Sequence, residues 1–353
     1  MRLLKSLLRT LSICLIVITA HACVNSSSNP PMVGGVYVLN EGNFNKGNAS
    51  ITAYNPETGE VTQQAFQGKN GSNHLLGDLG QSFTHINGRL YAVINNSDKI
   101  EVMDPHTLQS IGTISLPEGS SPRYMAKASE GVGLVTNLYK NSVYAVDLST
   151  LNVMNEIPVG HNPEGIAVSG SRAYVANSGL GAGNSVSIID TQTMQVVDSL
   201  KVGDNPTTVK TDASGRVWVV CTGAYNDYND PNDDTPGEIF VLNAPEGSIL
   251  DSLEVGGHPT DLLLDDNHGI AYLLNGNVEQ INMNDLSIEN ASFIGRNLYA
   301  IGYTDVQDFR IYGADPKNYQ QAGKAIIFNH DGAAVDSFKT GIIPGDFYFQ
   351  VHN

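Results

Sequence analysis

Charge, cysteine and tryptophan are all scarce in this chain. Only 16% of its 353 residues are Asp, Glu, Lys or Arg, three are Cys and one is Trp. So small a charged fraction excludes a Glu/Lys-rich protein of solvated helices. Disorder is excluded too, because 41% apolar residues can bury a large core. Basic residues are the scarcer sign: 19 Lys and Arg against 36 Asp and Glu give a net charge of −17. A nucleic-acid surface needs clustered Lys and Arg to neutralise phosphates, so no such partner is expected, and the acidity reads as solubility. No CxxC or CxxCH element offers ligands for zinc or haem. No GxSxG, HExxH or P-loop string occurs. Past the N-terminus no apolar run approaches a transmembrane length. What is abundant is Gly, at 36, with Asn, Ser and Thr, the residues of turns.

The N-terminus reads as an export signal. Arg2, Lys5 and Arg9 form a basic region, Leu11 to Ile18 a short apolar core, and small residues lead to Cys23. Ala20-His21-Ala22-Cys23 resembles a bacterial lipobox, in which cleavage precedes a Cys that is then lipidated; ordinary secretory cleavage nearby is the alternative. The expected division is a signal peptide at 1–22, a flexible tether at 23–32 and one folded unit at 33–353. Cleavage before Cys23 removes three basic residues and no acidic one, so 16 against 36 gives −20. With Cys14 in the signal and Cys23 lipidated, Cys221 stands alone and no disulfide is available.

Internal repetition settles the expected architecture. His161 to Val168, Arg172 to Asn177, Ser185 to Asp190 and Val196 to Gly203 read as four short β-branched strands separated by turns. The X-Pro marker of this block recurs at Pro122, Pro163, Pro206, Pro259 and Pro344, at intervals of 41, 43, 53 and 85 residues. The interval of 53 holds an insertion from Tyr225 to Gly237, and that of 85 holds two units with a decayed marker near Arg296-Asn297. A further unit opens at Gly80-Gln81-Ser82-Phe83. The first unit lacks an opening strand: Val36 to Asn40 match a second strand, Ala49 to Asn55 a third and Val61 to Phe66 a fourth. Pro344 to Phe349 is an opening strand without a unit. Joined, these ends close a ring and remove exposed edges. The fold class is therefore all-β, a seven-bladed β-propeller; a β-solenoid would not need complementary ends.

The wording "NPEGIAV…AYVAN…SVSIIDT…VVDSLKVG" resembles propellers of the YVTN/DUF5074 type. In such a ring the loops between strands two and three share a face with the loops between blades, around the mouth of the central channel. That face here is rich in Asn with interspersed aromatics, which suits a large ligand carrying amides and flat surfaces. The alternative for each residue singly is turn geometry or cover for a blade edge. Phe44, Asn96, Tyr139, Tyr225 and Tyr319 from the first loops, and Arg123, Tyr124, His161 and His258 from the inter-blade loops, are the candidate ligand-binding residues. No catalytic residues are expected. The repeated Asp104, Asp147 and Asp190 read as turn caps, and Trp218 as packing between blades. Asp230, Asn232 and Asp234 within Asp227–Asp234 resemble a calcium loop but lack its Gly and Glu, so a solvated loop is the leading reading there and no metal site is assigned.

The first three units carry more distinctive strings: "VLNEGNF…GNASITAYNPETGEV", "LGDLGQSF", "VINNSDKIEVMD", "LVTNLY" and "SPRYMAKA". These resemble the BtuG-like surface lipoproteins that accompany TonB-dependent cobalamin transporters. The resemblance implies a non-enzymatic protein, lipid-anchored to the outer membrane at the cell surface, that binds cobalamin (vitamin B12) and passes it to such a transporter. The tether lacks an acidic run, so the periplasmic face is the alternative location. A glycan, peptide or siderophore is the alternative ligand, and a lactonase-type hydrolase the alternative activity.

Overall fold

The computed structural model describes residues 32–225, 233–306 and 308–352. They form seven four-stranded antiparallel sheets, and in six of them the strands follow one another in chain order. Blade two runs Gly80–Ile86, Arg89–Ile94, Lys99–Met103 and Ser110–Ser115; blade three Pro122–Lys127, Val132–Asn137, Ser142–Asp147 and Asn152–Pro158. Blade four opens at Pro163–Ser169, blade five at Pro206–Thr211, blade six at Asp261–Asp265 and blade seven at Ile301–Thr304.

Blade one joins the two ends of the chain. Its inner strand is Pro344–His352, followed outward by Met32–Asn40, Ser50–Tyr54 and Val61–Thr62. The register pairs Val36 with Phe349, Tyr37 with Tyr348 and Val38 with Phe347. The ring is thus closed by backbone hydrogen bonds between residues about three hundred apart in sequence. The expected fourth strand of this blade is cut short. Only Val61 and Thr62 pair; Gln64 takes a left-handed backbone (φ 51°), and Ala65–Asn70 turn into a short helix. Phe66 explains the departure. It is fully buried among Leu76, Leu90 and Met103, filling the seam between blades one and two, which an extended chain would leave open.

Burial falls from the middle of each blade outward. In blade four, Arg172–Asn177 is buried at all but its first residue, whereas the outer strand Gln195–Lys201 is almost wholly exposed. The middle strands of the blades are largely apolar on both faces because each sheet packs between two neighbours. The repeated aspartates cap the turn into each outer strand. Asp104 Oδ1 accepts from the backbone N–H groups of His106 (2.9 Å) and Thr107 (2.8 Å), Asp147 Oδ1 from Ser149 and Thr150 (both 2.8 Å), and Asp190 Oδ1 from Gln192 (3.0 Å) and Thr193 (2.7 Å). Trp218 is fully buried between blades five and six, with its indole N–H donating to Asp212 Oδ2 at 2.9 Å. Replacing it with Phe removes volume and leaves Asp212 short of one donor, a loss of about 2–3 kcal/mol.

No helix among the described residues is long and apolar enough to cross a membrane.

If closure holds the ring, deleting residues 344–353 exposes the edge of Met32–Asn40. The truncated chain is expected to lose cooperative thermal unfolding and to self-associate in light scattering. A monomeric truncation with an unchanged unfolding midpoint would contradict this.

Candidate functional site

The inner strands leave one edge of backbone groups facing the central channel, and side chains two residues past the blade markers occupy those groups. Ser82 Oγ donates to Arg123 O (2.8 Å) and Thr208 Oγ1 to Thr260 O (3.1 Å), each reaching into the next blade. Asp346 works in the opposite sense: its Oδ2 accepts from the Phe83 N–H of blade two at 2.6 Å and its Oδ1 from Phe347 N–H at 2.7 Å. Asp261 accepts from Leu262 N–H at 2.8 Å and from the Ile301 backbone of blade seven. Gly165 holds the same position in blade four because a Cβ there would meet Thr207 O at 2.6 Å and Val209 N at 2.7 Å. Serine, threonine and aspartate here satisfy backbone groups that no strand can reach.

Above these contacts lies a cavity of about 730 Å3. On one wall Arg123 donates from Nε to Glu164 Oε2 at 2.6 Å and from Nη1 to Gln81 Oε1. On the other, Tyr299 donates its hydroxyl to Glu41 Oε1 at 2.7 Å. A Cβ at Gly345 would come within 2.9 Å of that same oxygen, so a larger residue there would displace the Glu41 side chain. Lys210, Asp261 and Tyr124 also line a second space of about 290 Å3 farther along the channel, so they divide the two.

Burial dominates the electrostatics. It pushes the carboxyl groups of Glu41, Glu164 and Asp261 above their ordinary range, against the pull of Arg123 on the first two and Lys210 on the third. Asp346 is raised from 3.8 to about 6 by burial, with Asp261 adding to the rise and Phe83 N–H and Lys210 opposing it. Burial works against the charge of Arg123 as well, but Glu164 and Glu41 outweigh it and hold its pKa above the ordinary value. The Tyr124 and Tyr299 hydroxyls are pushed up by burial and stay protonated.

Three of the expected site residues line this cavity: Arg123, Tyr124 and His258. Arg123 and Tyr124 stand within the inner strand Pro122–Lys127 rather than in the loop before it. Tyr225 stacks on His258 with ring centroids 3.9 Å apart, and Tyr319 meets the cavity-lining Tyr299 edge to face at 5.8 Å. Phe44 is 63% exposed on the adjoining loop, whose Asn43 Nδ2 donates to Tyr319 O at 2.8 Å. Asn96 Nδ2 donates to Asn45 Oδ1 of that loop at 3.0 Å. Tyr139 and His161 are exposed and are not part of the cavity lining.

The asparagines at the ends of the second strands prove structural. Asn40, Asn137 and Asn177 are buried, and their amides bind the blade itself: Asn40 Nδ2 donates to Ser50 O (3.1 Å) and Asn177 Nδ2 to Ser185 Oγ and Ser187 Oγ (both 3.0 Å). Sequence reasoning missed the convergence of Glu41, Glu164, Asp261, Asp346 and Lys210. For four of them the available signal was a polar side chain one, two or four residues past a marker: Glu164 after Pro163, Asp261 after Pro259, Asp346 after Pro344 and Lys210 after Pro206. Cys23 and most of the acidic stretch Asp227–Asp234 lie outside the described residues. Among the described residues no group of three or more His, Cys, Asp or Glu is placed to hold a metal ion.

Residues 34–230 match the family described as "Domain of unknown function (DUF5074)". No curated protein matches the chain by sequence. Among solved structures it is similar to a quinonprotein alcohol dehydrogenase-like protein from Bacteroides thetaiotaomicron, at 14% identity and a TM-score of 0.69 over 91% of this chain and 79% of that one. It is similar to the periplasmic gluconolactonase PpgL of Pseudomonas aeruginosa, at 13% identity and 0.64 over 89% and 99%. Kuenenia stuttgartiensis hydrazine synthase aligns at 17% identity and 0.57 over 78% and 91%. Identities this low establish the fold alone.

Because the native state holds the Asp346 proton more tightly than the unfolded chain does, this group's contribution to stability is present below about pH 4 and lost as the pH rises through about 6. The stability of wild type minus that of Asp346→Asn, from thermal or urea unfolding, is expected to fall by up to roughly 3 kcal/mol between pH 4 and 7. A difference that stays flat across this range would contradict the assignment.

Proposed function

The chain belongs to the DUF5074 family, and from that footing we propose that it is a binding protein that captures cobalamin at the mouth of its central channel and passes it to a TonB-dependent outer-membrane transporter. The observation that carries the reading is the cavity of about 730 Å3 with an aromatic rim and amide- and carboxylate-lined walls. Cobalamin presents peripheral amides, a flat corrin and a nucleotide tail. It is too large to enter whole, so it would lie across Phe44, Tyr225 and Tyr319 with one polar edge directed toward Arg123, Glu164 and Gln81. Tyrosines supply wide apolar contact with a polar tip and lose little rotamer freedom on binding. The distinctive strings of the first three blades, and the lipobox-like Ala20-His21-Ala22-Cys23, support placement beside such a transporter on a lipid anchor at the outer membrane.

A second reading, hydrolysis of a lactone-like substrate, is favoured by one observation. Asp346, raised to about 6, shares the cavity with Lys210, a setting in which a carboxylate can act as a general base. Turnover of sugar lactones by the purified protein, lost in Asp346→Asn, would select it.

For the first reading, the purified protein is expected to stay coloured after desalting from cyanocobalamin and to bind one equivalent in calorimetry. Tyr225→Ala and Tyr319→Ala should each weaken binding by about 1–2 kcal/mol, and Tyr139→Ala by much less. A colourless protein with no heat of binding would sink the cobalamin reading.

A further inference from the structure

Asp346 has two roles that pull against each other. Its carboxylate staples blade one to blade two through Phe83 N–H, and it also lines the cavity in which a ligand would sit. The groups facing it come from every side of the channel. Lys210 of blade five and Asp261 of blade six act on it through space, and Tyr124 of blade three is coupled to both carboxylates. Arg123 of blade three, Glu164 of blade four, Glu41 of blade one and Tyr299 at the start of blade seven stand in the same cavity, with His258 before blade six. Lys210 pulls the ionised form down without closing an ion pair with either aspartate. The Phe83 and Phe347 N–H groups and Lys210 stabilise the Asp346 charge, and because the side chain is only half-buried and lines the cavity, solvent water reaches it from that side.

A ligand that fills this space removes that water. An uncharged, amide-bearing ligand edge returns part of the lost hydration, and the ionised carboxylate loses more by the exchange than the protonated acid does. Linkage then requires that binding and protonation favour each other equally. We propose that the channel floor is a proton-coupled element, in which occupation of the cavity by an uncharged amide-bearing ligand draws a proton onto Asp346. The ligand is then held more tightly in mildly acidic medium and released more readily as the pH rises. The pKa of about 6 puts the change within the range a cell surface meets. The inference rests on the cobalamin reading of the same cavity and adds a residue, a direction and a pH range to it.

The test is calorimetric titration of the purified protein with cyanocobalamin at pH 5, 6, 7 and 8, each in two buffers of different ionisation heat. Cyanocobalamin has no group of its own that titrates in this range. Binding is expected to be at least about fivefold tighter at pH 5 than at pH 8, with net proton uptake between pH 6 and 7. Both effects should be absent in Asp346→Asn. That variant offers one carbonyl to two N–H donors, so its fold is checked by circular dichroism; if it fails, the buffer-dependent heat of the wild type decides. His258 lines the same cavity, so His258→Gln is run in parallel and should keep the pH dependence. Loss of the dependence in His258→Gln with retention in Asp346→Asn would overturn the inference. Equal affinity at every pH without proton uptake would overturn it while leaving cobalamin binding intact. No binding at any pH would overturn both.

Discussion

Seven inner strand edges meet around one channel, and the backbone N–H and C=O groups along those edges have no further strand to pair with. Leaving them bare would cost free energy at each one that water does not reach. The chain meets this constraint with short polar side chains placed at the same point in successive repeats: Ser82 and Thr208 donate forward to a carbonyl, Asp261 and Asp346 accept from an N–H, and Gly165 yields its place to the strand beside it. The closure of the ring obeys the same logic on a larger scale, with Pro344–His352 covering the edge of Met32–Asn40. Blade seams, channel and cavity all depend on this stitching.

The chemistry of the channel follows from it. A carboxylate used to hold a backbone N–H in the middle of a protein is a charge taken out of water. Asp261 and Asp346 are so placed, Glu41 and Glu164 join them in the same cavity beside Arg123 and Lys210, and Arg123 is already engaged by Glu164 and Gln81. The cavity thereby gathers charged groups of both signs. The rim has a different character. Tyr225 stacked on His258, and Tyr319 set against Tyr299, leave large apolar faces open at the mouth. Structural need places the charged groups below, while no packing requirement accounts for the aromatic exposure above.

Repetition made most of the fold readable. Periodic markers at Pro122, Pro163 and Pro206 and the matching of the two ends gave blade number and closure, because each repeat must bury the same faces against its neighbours. The capping role of Asp104, Asp147 and Asp190 was readable for the same reason. Departures arose where a residue answers to a neighbouring blade rather than to its own repeat. Phe66 leaves its strand to fill a seam, and Asn137 and Asn177 turn inward where loop position alone suggested a ligand face.

The sequence by itself determined the all-β ring, its seven blades, the residues of its turns and the distinctive character of its first three repeats. Those features are local or periodic, and a period survives in one dimension. Only the tertiary structure decided which polar groups share a space. Glu41, Glu164, Lys210, Asp261 and Asp346 come from four different blades, separated by up to about three hundred residues, and their places in the repeats do not by themselves show that they share a space. They meet because ring closure carries every inner strand to one axis, and burial at that axis sets their charge.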